Sequence, residues 1–392
     1  MSSPVPSGRR RLGVAVVGFG WMGEAHTRAY ARVLHHYPGL VVSPQLVVVA
    51  DEVPGRAAEA AGRYGFEVAT TDWREAITRA DVAAVSVTAP NFLHRQIGEA
   101  VAQAGRHLWI EKPVGLHLAD AQAVEAALRR QRLHSAVGFN YRHAPAVQAA
   151  RELIADGRLG SITHASFRLL SDYAAHPDGA LTWRYELARA GRGVLADLAS
   201  HGADLAWHLL GPITEVVADT AIFLPKRQRP TGATTGHVRA TGGETGAVEN
   251  EDYLAGLLRF ASGARANIEV SRVAVGEQNT YGFSVHGTSG AVAWDFRRLG
   301  ELLVSTGTRY QDQSFERVLV GPGHGDYAAF QPGSGIAMSF DDLKVIEAAQ
   351  FLRSIAEDEV HGPSIADAVR AAAVVQALGE SADSGRWVKI DT

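Results

Sequence analysis

The chain has 392 residues, 46% of them hydrophobic and 20% charged, with a net charge of −4 and no cysteine. That length exceeds one ordinary core, so two domains are expected, and the balance of charge provides no field to draw nucleic acid or an anionic membrane. The lack of cysteine excludes disulfides, thiolate-bound zinc and thiol catalysis, and it fits a reducing compartment.

Arg9-Arg10-Arg11 precedes an apolar stretch over 12–20 and superficially suggests a twin-arginine export signal. Such a signal needs a longer unbroken apolar region and a small-residue cleavage site. Here three glycines cut the run and Glu24-Ala25-His26-Thr27-Arg28 follows it. A cytoplasmic protein is expected, and no stretch reaches the ~18–20 apolar residues that span a bilayer.

Residues 13–17 read as a strand and 22–36 as a helix. Residues 45–50 (QLVVVA) form a second strand, 54–64 an alanine-rich helix, 82–88 a third buried strand and 94–104 a helix. Strand 107–110, helix 119–130 and strand 135–139 continue the rhythm. Strands separated by helices in this way are βαβ units, so 1–140 is expected to be a Rossmann domain, a doubly wound parallel sheet with helices on both faces.

After Tyr141 the rhythm changes. A helix over 145–156, a strand over 162–170 and a long helix over 194–210 lead into strands at 214–223, 253–260, 264–270, 282–287, 291–295 and 302–306. Glycine turns such as Gly287-Thr288-Ser289-Gly290 separate some of them. These runs predict an α+β domain over 141–392 with a large, mostly antiparallel, open-faced sheet. An open face makes a homodimer or homotetramer the expected assembly. Gly/Thr/Pro-rich segments at 225–250 and 321–335 read as long loops near a binding site or an interface. Helices at 340–357 and 365–380 and a short strand at 387–390 close the chain, helix 365–380 being expected to pack back on the first domain.

Gly18-Phe19-Gly20-Trp21-Met22-Gly23 is G-x-G-x-x-G, placed after a strand and opening a helix, the context that gives the pattern its meaning. Gly18 permits the tight turn, Gly20 lets backbone approach a pyrophosphate, and Gly23 lets helix pack close to strand. The phosphates then meet free N–H groups at the positive helix end. Asp51, directly after the second strand, is placed to accept from both ribose hydroxyls and repel a 2′-phosphate, which favours NAD over NADP. The same residue could instead cap the following helix, and Arg56 could accommodate a 2′-phosphate.

Glu111-Lys112-Pro113 follows strand 107–110, so Lys112 stands at the carboxyl end of a buried parallel strand, where open α/β sheets bind ligands. Alone it would be a solvated rim charge. Asp197 and His201 lie four apart and share a helix face, with Leu195, Leu198, Leu205 and Leu209 on the opposite one. An isolated helix would carry Asp197, His201, Asp204 and His208 as a solvated stripe.

Thr88-Ala89-Pro90-Asn91-Phe92-Leu93-His94, Glu111-Lys112-Pro113 and Gly193-Val194-Leu195-Ala196-Asp197-Leu198-Ala199-Ser200-His201-Gly202-Ala203-Asp204 follow the glycine turn in that order. With Trp183-Arg184 and Val248-Glu249-Asn250-Glu251-Asp252 they resemble the glucose–fructose oxidoreductase/inositol dehydrogenase (Gfo/Idh/MocA) family over nearly the whole chain. The resemblance implies NAD held by Gly18, Phe19, Gly20, Trp21, Met22, Gly23 and Asp51, with Thr88, Pro90, Asn91, His94, Glu111, Lys112 and Asn140. It implies Lys112, Asp197 and His201 at the hydride-transfer site, a cis peptide before Pro113, and no metal.

Alcohol oxidation needs a base for the hydroxyl proton and a cation near the developing oxyanion. His201 suits the first role and Lys112 the second, while Asp197 holds a substrate hydroxyl or tunes its neighbours. Relatives leave the division of labour between Lys112 and His201 open. Tyr141, Arg142, Tyr173, Trp183 and Arg184 are the further candidates for substrate contact, each with plain packing as the alternative.

Within the family, 71–74, 139–147 and 181–185 look most like the members that oxidise the C3 hydroxyl of the anhydro-sugar levoglucosan. Other pyranosides, inositols and 1,5-anhydro-sugars stay open as substrates, as does reduction as the physiological direction. The competing functions are a non-catalytic dinucleotide- or sugar-sensing regulator and an NAD-dependent glycosidase.

Overall fold

The structure, a computed structural model, describes residues 8–230, 239–240, 243–307 and 309–390. They fall into two compact units, Met1–Asn140 with Ser339–Val369 and Tyr141–Met338 with Arg370–Thr392.

The first unit alternates strands β1 (Arg10–Val17), β2 (Val42–Ala50), β3 (Val68–Thr70), β4 (Ala84–Val87), β5 (His107–Ile110) and β6 (Ser135–Val137) with five helices. These are α1 (Trp21–His36), α2 (Arg56–Tyr64), α3 (Trp73–Thr78), α4 (His94–Gln103) and α5 (Leu118–Arg130). All pairings are parallel, in the order β3-β2-β1-β4-β5-β6. This is the doubly wound order whose direction reverses between β1 and β4, and ligands bind at such a switch point. Val14, Ala15 and Val16 are fully buried because both sheet faces are covered, so β1 reads as a continuous apolar run. β3 and α3 were not foreseen. The strand is three residues long, and the helix rests on a cap, Asp72 Oδ1 accepting from Arg74 N at 3.0 Å.

The second unit begins with α6 (Pro145–Ala155), β7 (Ile162–Leu170), α7 (Leu187–Ala190) and α8 (Ser200–Leu210). Strands β8 (Ile213–Ala221), β9 (Lys226–Gln228), β10 (Thr245–Ala247), β11 (Tyr253–Phe260) and β12 (Arg265–Ser271) follow. Then come β13 (Thr280–Gly287), β14 (Gly290–Asp295), β15 (Glu301–Thr306) and β16 (Glu316–Leu319). Nine strands make one sheet, β16-β15-β14-β13-β7-β12-β11-β8-β17, where β17 is Val388–Lys389. Only β7 and β12 pair in parallel. Ala165, Phe167 and Leu169 of β7 are buried, while His164, Ser166 and Arg168 alternate with them on the more open face, the pattern of a sheet covered on one side. The expected loop 225–250 contains the small β9–β10 ladder, and residues 231–238 and 241–242 within it lie outside the described residues.

The expected long helix over 194–210 is not regular. Leu195–Ala199 is a π-helical turn, and α8 starts at Ser200. Ser200 Oγ donates back to Ala196 O at 2.7 Å, a bond that competes with regular helix geometry. Single π turns of this kind gather at functional sites.

Helix α9 (Phe340–Glu357) and the start of α10 (Ile365–Ser384) belong with the first unit, although 141–392 read from sequence as one domain. The reason is electrostatic as well as apolar. Arg28 Nε donates to Asp341 at 2.7 Å and Arg32 Nη2 to Asp342 at 2.6 Å. Pro363 O accepts from Val137 N, and Ile365 N donates to Ser135 Oγ, both at 3.0 Å. Among the described residues no helix is long and apolar enough to cross a membrane.

Candidate active site

The turn after β1 is built by what its glycines lack. Gly18 has φ +85°, and a Cβ there would lie 2.6 Å from Ala89 Cα. A Cβ on Gly23 would meet Gly18 O at 2.5 Å, so the helix could not pack this close. At Gly20 nothing lies within 4 Å of that position, so the backbone faces open space. Gly20 is also the N-cap of α1 and supplies no side-chain acceptor, so the first-turn N–H groups keep their positive end exposed to a ligand. Thr88, at the end of β4, is committed to the turn, its Oγ1 donating to Gly18 O at 2.5 Å.

Asp51 is buried, and its carboxylate ties the same turn. Oδ2 accepts from Phe19 N at 2.7 Å and Oδ1 from Val53 N at 2.9 Å, while Arg56 Nη1 stands 3.2 Å away. The helix-cap reading does not hold, because α2 starts at Arg56 with Gly55 as its N-cap. The carboxylate and the turn therefore form one piece, with Arg56 as its counter-ion.

Around Glu111-Lys112-Pro113, whose Lys112–Pro113 peptide is cis, both flanking residues are anchored. Glu111 is buried and receives Lys344 Nζ at 2.6 Å and His26 Nε2 at 2.9 Å. Burial alone would push its carboxyl pKa up, but Lys344 and His26 outweigh that and hold it below the ordinary range. Burial lowers His26 to about 4 despite the carboxylate beside it. The neutral ring fits its buried Nδ1, which has no hydrogen-bond partner among the described residues. On the other side His94 reaches Pro113 O and Ala89 O, each at 2.7 Å, and burial lowers its pKa. Glu111 and His94, expected to touch the cofactor, thus have their polar atoms committed to protein partners.

In the second unit the expected polar stripe is not solvated. His201 and Asp204 are buried. Arg142 grips Asp204 with both Nε, at 2.7 Å, and Nη2, so this guanidinium forms an internal ion pair although it was expected to meet substrate. The Tyr141 ring packs 4.7 Å from the His201 ring. Tyr173 Oη donates to Asp197 Oδ2 at 2.7 Å. Burial first, and then the Asp197 charge, push the Tyr173 and Tyr281 hydroxyls above their ordinary pKa. The helix start itself is braced, as Glu251 Oε1 accepts from Leu195 N at 3.1 Å. The Val248–Asp252 motif is the brace's own frame, with Arg272 Nε donating to Asp252 at 2.7 Å. Arg184 lies over the Trp183 ring at 4.5 Å, leaving that ring half-buried.

Residues 12–139 match the model of the oxidoreductase family with an NAD-binding Rossmann fold, and residues 147–293 match that of the GFO/IDH/MocA C-terminal domain. The chain belongs to this oxidoreductase family. It is 35% identical to levoglucosan dehydrogenase of Pseudarthrobacter phenanthrenivorans over 97% of this chain and 98% of that one. It is 31% identical to inositol 2-dehydrogenase of Rhizobium meliloti, covering 87% and 96% respectively. A solved levoglucosan dehydrogenase in complex with NADH and levoglucosan superposes with a TM-score of 0.91 at 34% identity, covering 98% of this chain and all of that one.

The first unit fits NAD on its own geometry. The cradle has room at Gly20, an uncapped helix end and an acid behind the turn. Asn140 adds a buried Nδ2 without a partner among the described residues, a donor left for a ligand. Sequence reasoning missed Tyr281, whose inward phase with Phe283 and Val285 was the only signal. It also missed Lys344 and Glu347, for which the signal was a lysine and a glutamate inside the otherwise apolar run 343–349 of α9, and His26, a buried residue of α1.

Proposed function

We propose that the protein oxidises a secondary hydroxyl of a cyclic sugar or polyol to the ketone, and that an anhydro-sugar of the levoglucosan type is its substrate. The observation that carries this reading is the placing of buried His201 and half-buried Asp197 against tyrosines, on a chain that retains Lys112. Asp204 of the same face is satisfied internally by Arg142, whereas Asp197 is held by a tyrosine hydroxyl and His201 lies against a tyrosine ring. The likeness to levoglucosan dehydrogenase over nearly the full length supports the substrate class.

When bound, NAD supplies the hydride acceptor. His201 then takes the hydroxyl proton, the Lys112 ammonium stabilises the oxygen as negative charge develops on it, and Asp197 orients a neighbouring hydroxyl with Tyr173 fixing the carboxylate. Gly18, Phe19, Gly20, Trp21, Met22, Gly23, Thr88, Pro90, Asn91 and Asn140 form or frame the cofactor cradle, with Asp51 on the ribose. Tyr141, Trp183 and Arg184 complete the substrate wall. The enzyme works in the cytoplasm as a homodimer or homotetramer joined through the open sheet face; light scattering that returned a monomer would remove the assembly part.

The test is a screen of NAD reduction over anhydro-sugars, aldoses, glycosides and inositols. One NADH formed per sugar consumed is expected. Binding without turnover would favour a sensor, and glycoside cleavage without net NADH would favour a glycosidase. Lys112→Ala should lower turnover at least a thousandfold with NADH affinity nearly intact, and near-normal activity would sink the mechanism.

A further inference from the structure

The first unit holds a group of buried ionisable side chains that the reaction above does not use. Lys344 of α9, only 1% exposed, bonds Glu111 at 2.6 Å and Glu347 at 3.2 and 3.3 Å. Glu347 also accepts from the Trp109 indole N–H, and the His26 ring stacks on Trp109 at 3.6 Å. His26, Glu111 and Glu347 bring their ligand atoms within 4.8 Å of one another, close enough to surround a cation, and the Lys344 ammonium already supplies one. Burial raises the Glu347 carboxyl to about 7, while Lys344 opposes the rise.

Such a cluster is a poor way to gain stability. Each charge taken from water costs several kcal/mol, and apolar replacements of buried ion pairs are often neutral or stabilising. What it provides is one fixed geometry. The Glu111 carboxylate lies against the backbone of Gly138, so closely that a Cβ there would lie 2.3 Å from its Oε2. Glu111 N is bonded to Val87 O at 3.0 Å, and His94 holds Pro113 O. The residues on both sides of Lys112 are thereby fixed, Glu111 to β4 and to a lysine of α9 233 positions along the chain, and Pro113 to His94 at the start of α4.

We infer that Lys344 is a positioning residue for the reaction, holding the Glu111 carboxylate so that the backbone of Lys112 is presented in one place. This rests on the reading of Lys112 given above. A misplacement of about 1 Å can cost about a hundredfold in rate, so the effect belongs in kcat, with little change in binding.

The experiment uses full-length enzyme, with levoglucosan or whichever sugar in the screen is turned over fastest. Glu111→Gln keeps the shape and leaves Lys344 paired with Glu347. The double variant Glu111→Gln/Lys344→Met removes both charges and leaves neither Glu111 nor Lys344 as an uncompensated ion. Each should lower kcat at least tenfold while NADH affinity and the sugar KM move less than about threefold. A primary deuterium isotope effect on kcat should become fully expressed as hydride transfer becomes limiting. Melting temperature confirms that each variant is folded. A folded variant with kcat within twofold of the parent overturns the inference, as does a loss of affinity equal to the loss of kcat. If Lys112→Ala is inactive while these variants are fully active, only this inference fails. If Lys112→Ala is itself active, the reading of Lys112 fails first.

Discussion

The cofactor turn of the first unit and the Asp197–His201 segment of the second are built from opposite materials. The turn relies on backbone: missing Cβ atoms at Gly18, Gly20 and Gly23 and unsatisfied N–H groups at the start of α1. The segment relies on side chains, and its neighbours come from far along the chain. Arg142 is 62 positions from Asp204, and Glu251 is 56 positions from Leu195. A backbone site tolerates change in most of what surrounds it but not at its glycines. A side-chain site depends on every partner that keeps it out of water.

The sharpest test of that contrast is His201→Gln. If His201 is the base, kcat should fall by about 10²–10⁴, with NADH affinity unchanged in a fluorescence titration. A matching loss of cofactor affinity would show that the two regions do not separate as described.

Gly18→Ala should do the reverse. Its positive φ and the 2.6 Å approach to Ala89 leave no room for a methyl group, so NADH binding should weaken at least tenfold. Unaltered affinity in the folded variant would mean that the turn is not the phosphate site.

Asp51→Ala tests the one charged side chain that ties the turn. It frees Arg56 from its counter-ion, and if the Asp51 charge is what repels a 2′-phosphate, the NAD-over-NADP preference should drop about tenfold. A parent enzyme that already prefers NADP would show the reading of Asp51 to be wrong.

The smallest effect is on stability against pH. His26 titrates near 6.5 when unfolded and at about 4 when folded, so the unfolded chain binds the extra proton between those values. Folding should therefore lose stability as pH falls from 6.5 toward 4, by at most about 3 kcal/mol from this residue. Glu347, raised to about 7, works the other way, losing stability as pH rises from its ordinary 4.5. In urea melts from pH 7 to 4, His26→Gln should flatten the acid-side loss. An identical slope in parent and variant would remove His26 from the account.

Much of the first unit was legible in the sequence. Helix α1 and strand β5 fall within one residue of their expected limits, since long apolar periodicities and a glycine turn are local signals. β3 and β16 bury none of their residues, so no apolar run marks them as one marks β5. The π turn at Leu195–Ala199 escaped notice because Ser200's back-bond is a side-chain choice that spacing does not reveal.

By itself, the sequence determined the order of βαβ units, the place of the glycine turn, the acid behind it, and the family that carries Lys112, Asp197 and His201. These are written in neighbouring residues, where a missing Cβ or a 3.6-residue period acts over a few positions. Only the tertiary structure decided that α9 belongs with the first unit, that Arg142 is engaged by Asp204, and that Lys344 reaches Glu111. Those are contacts across tens to hundreds of positions. A buried charge takes whichever partner the packed fold brings within hydrogen-bond reach, and no local pattern names that partner in advance.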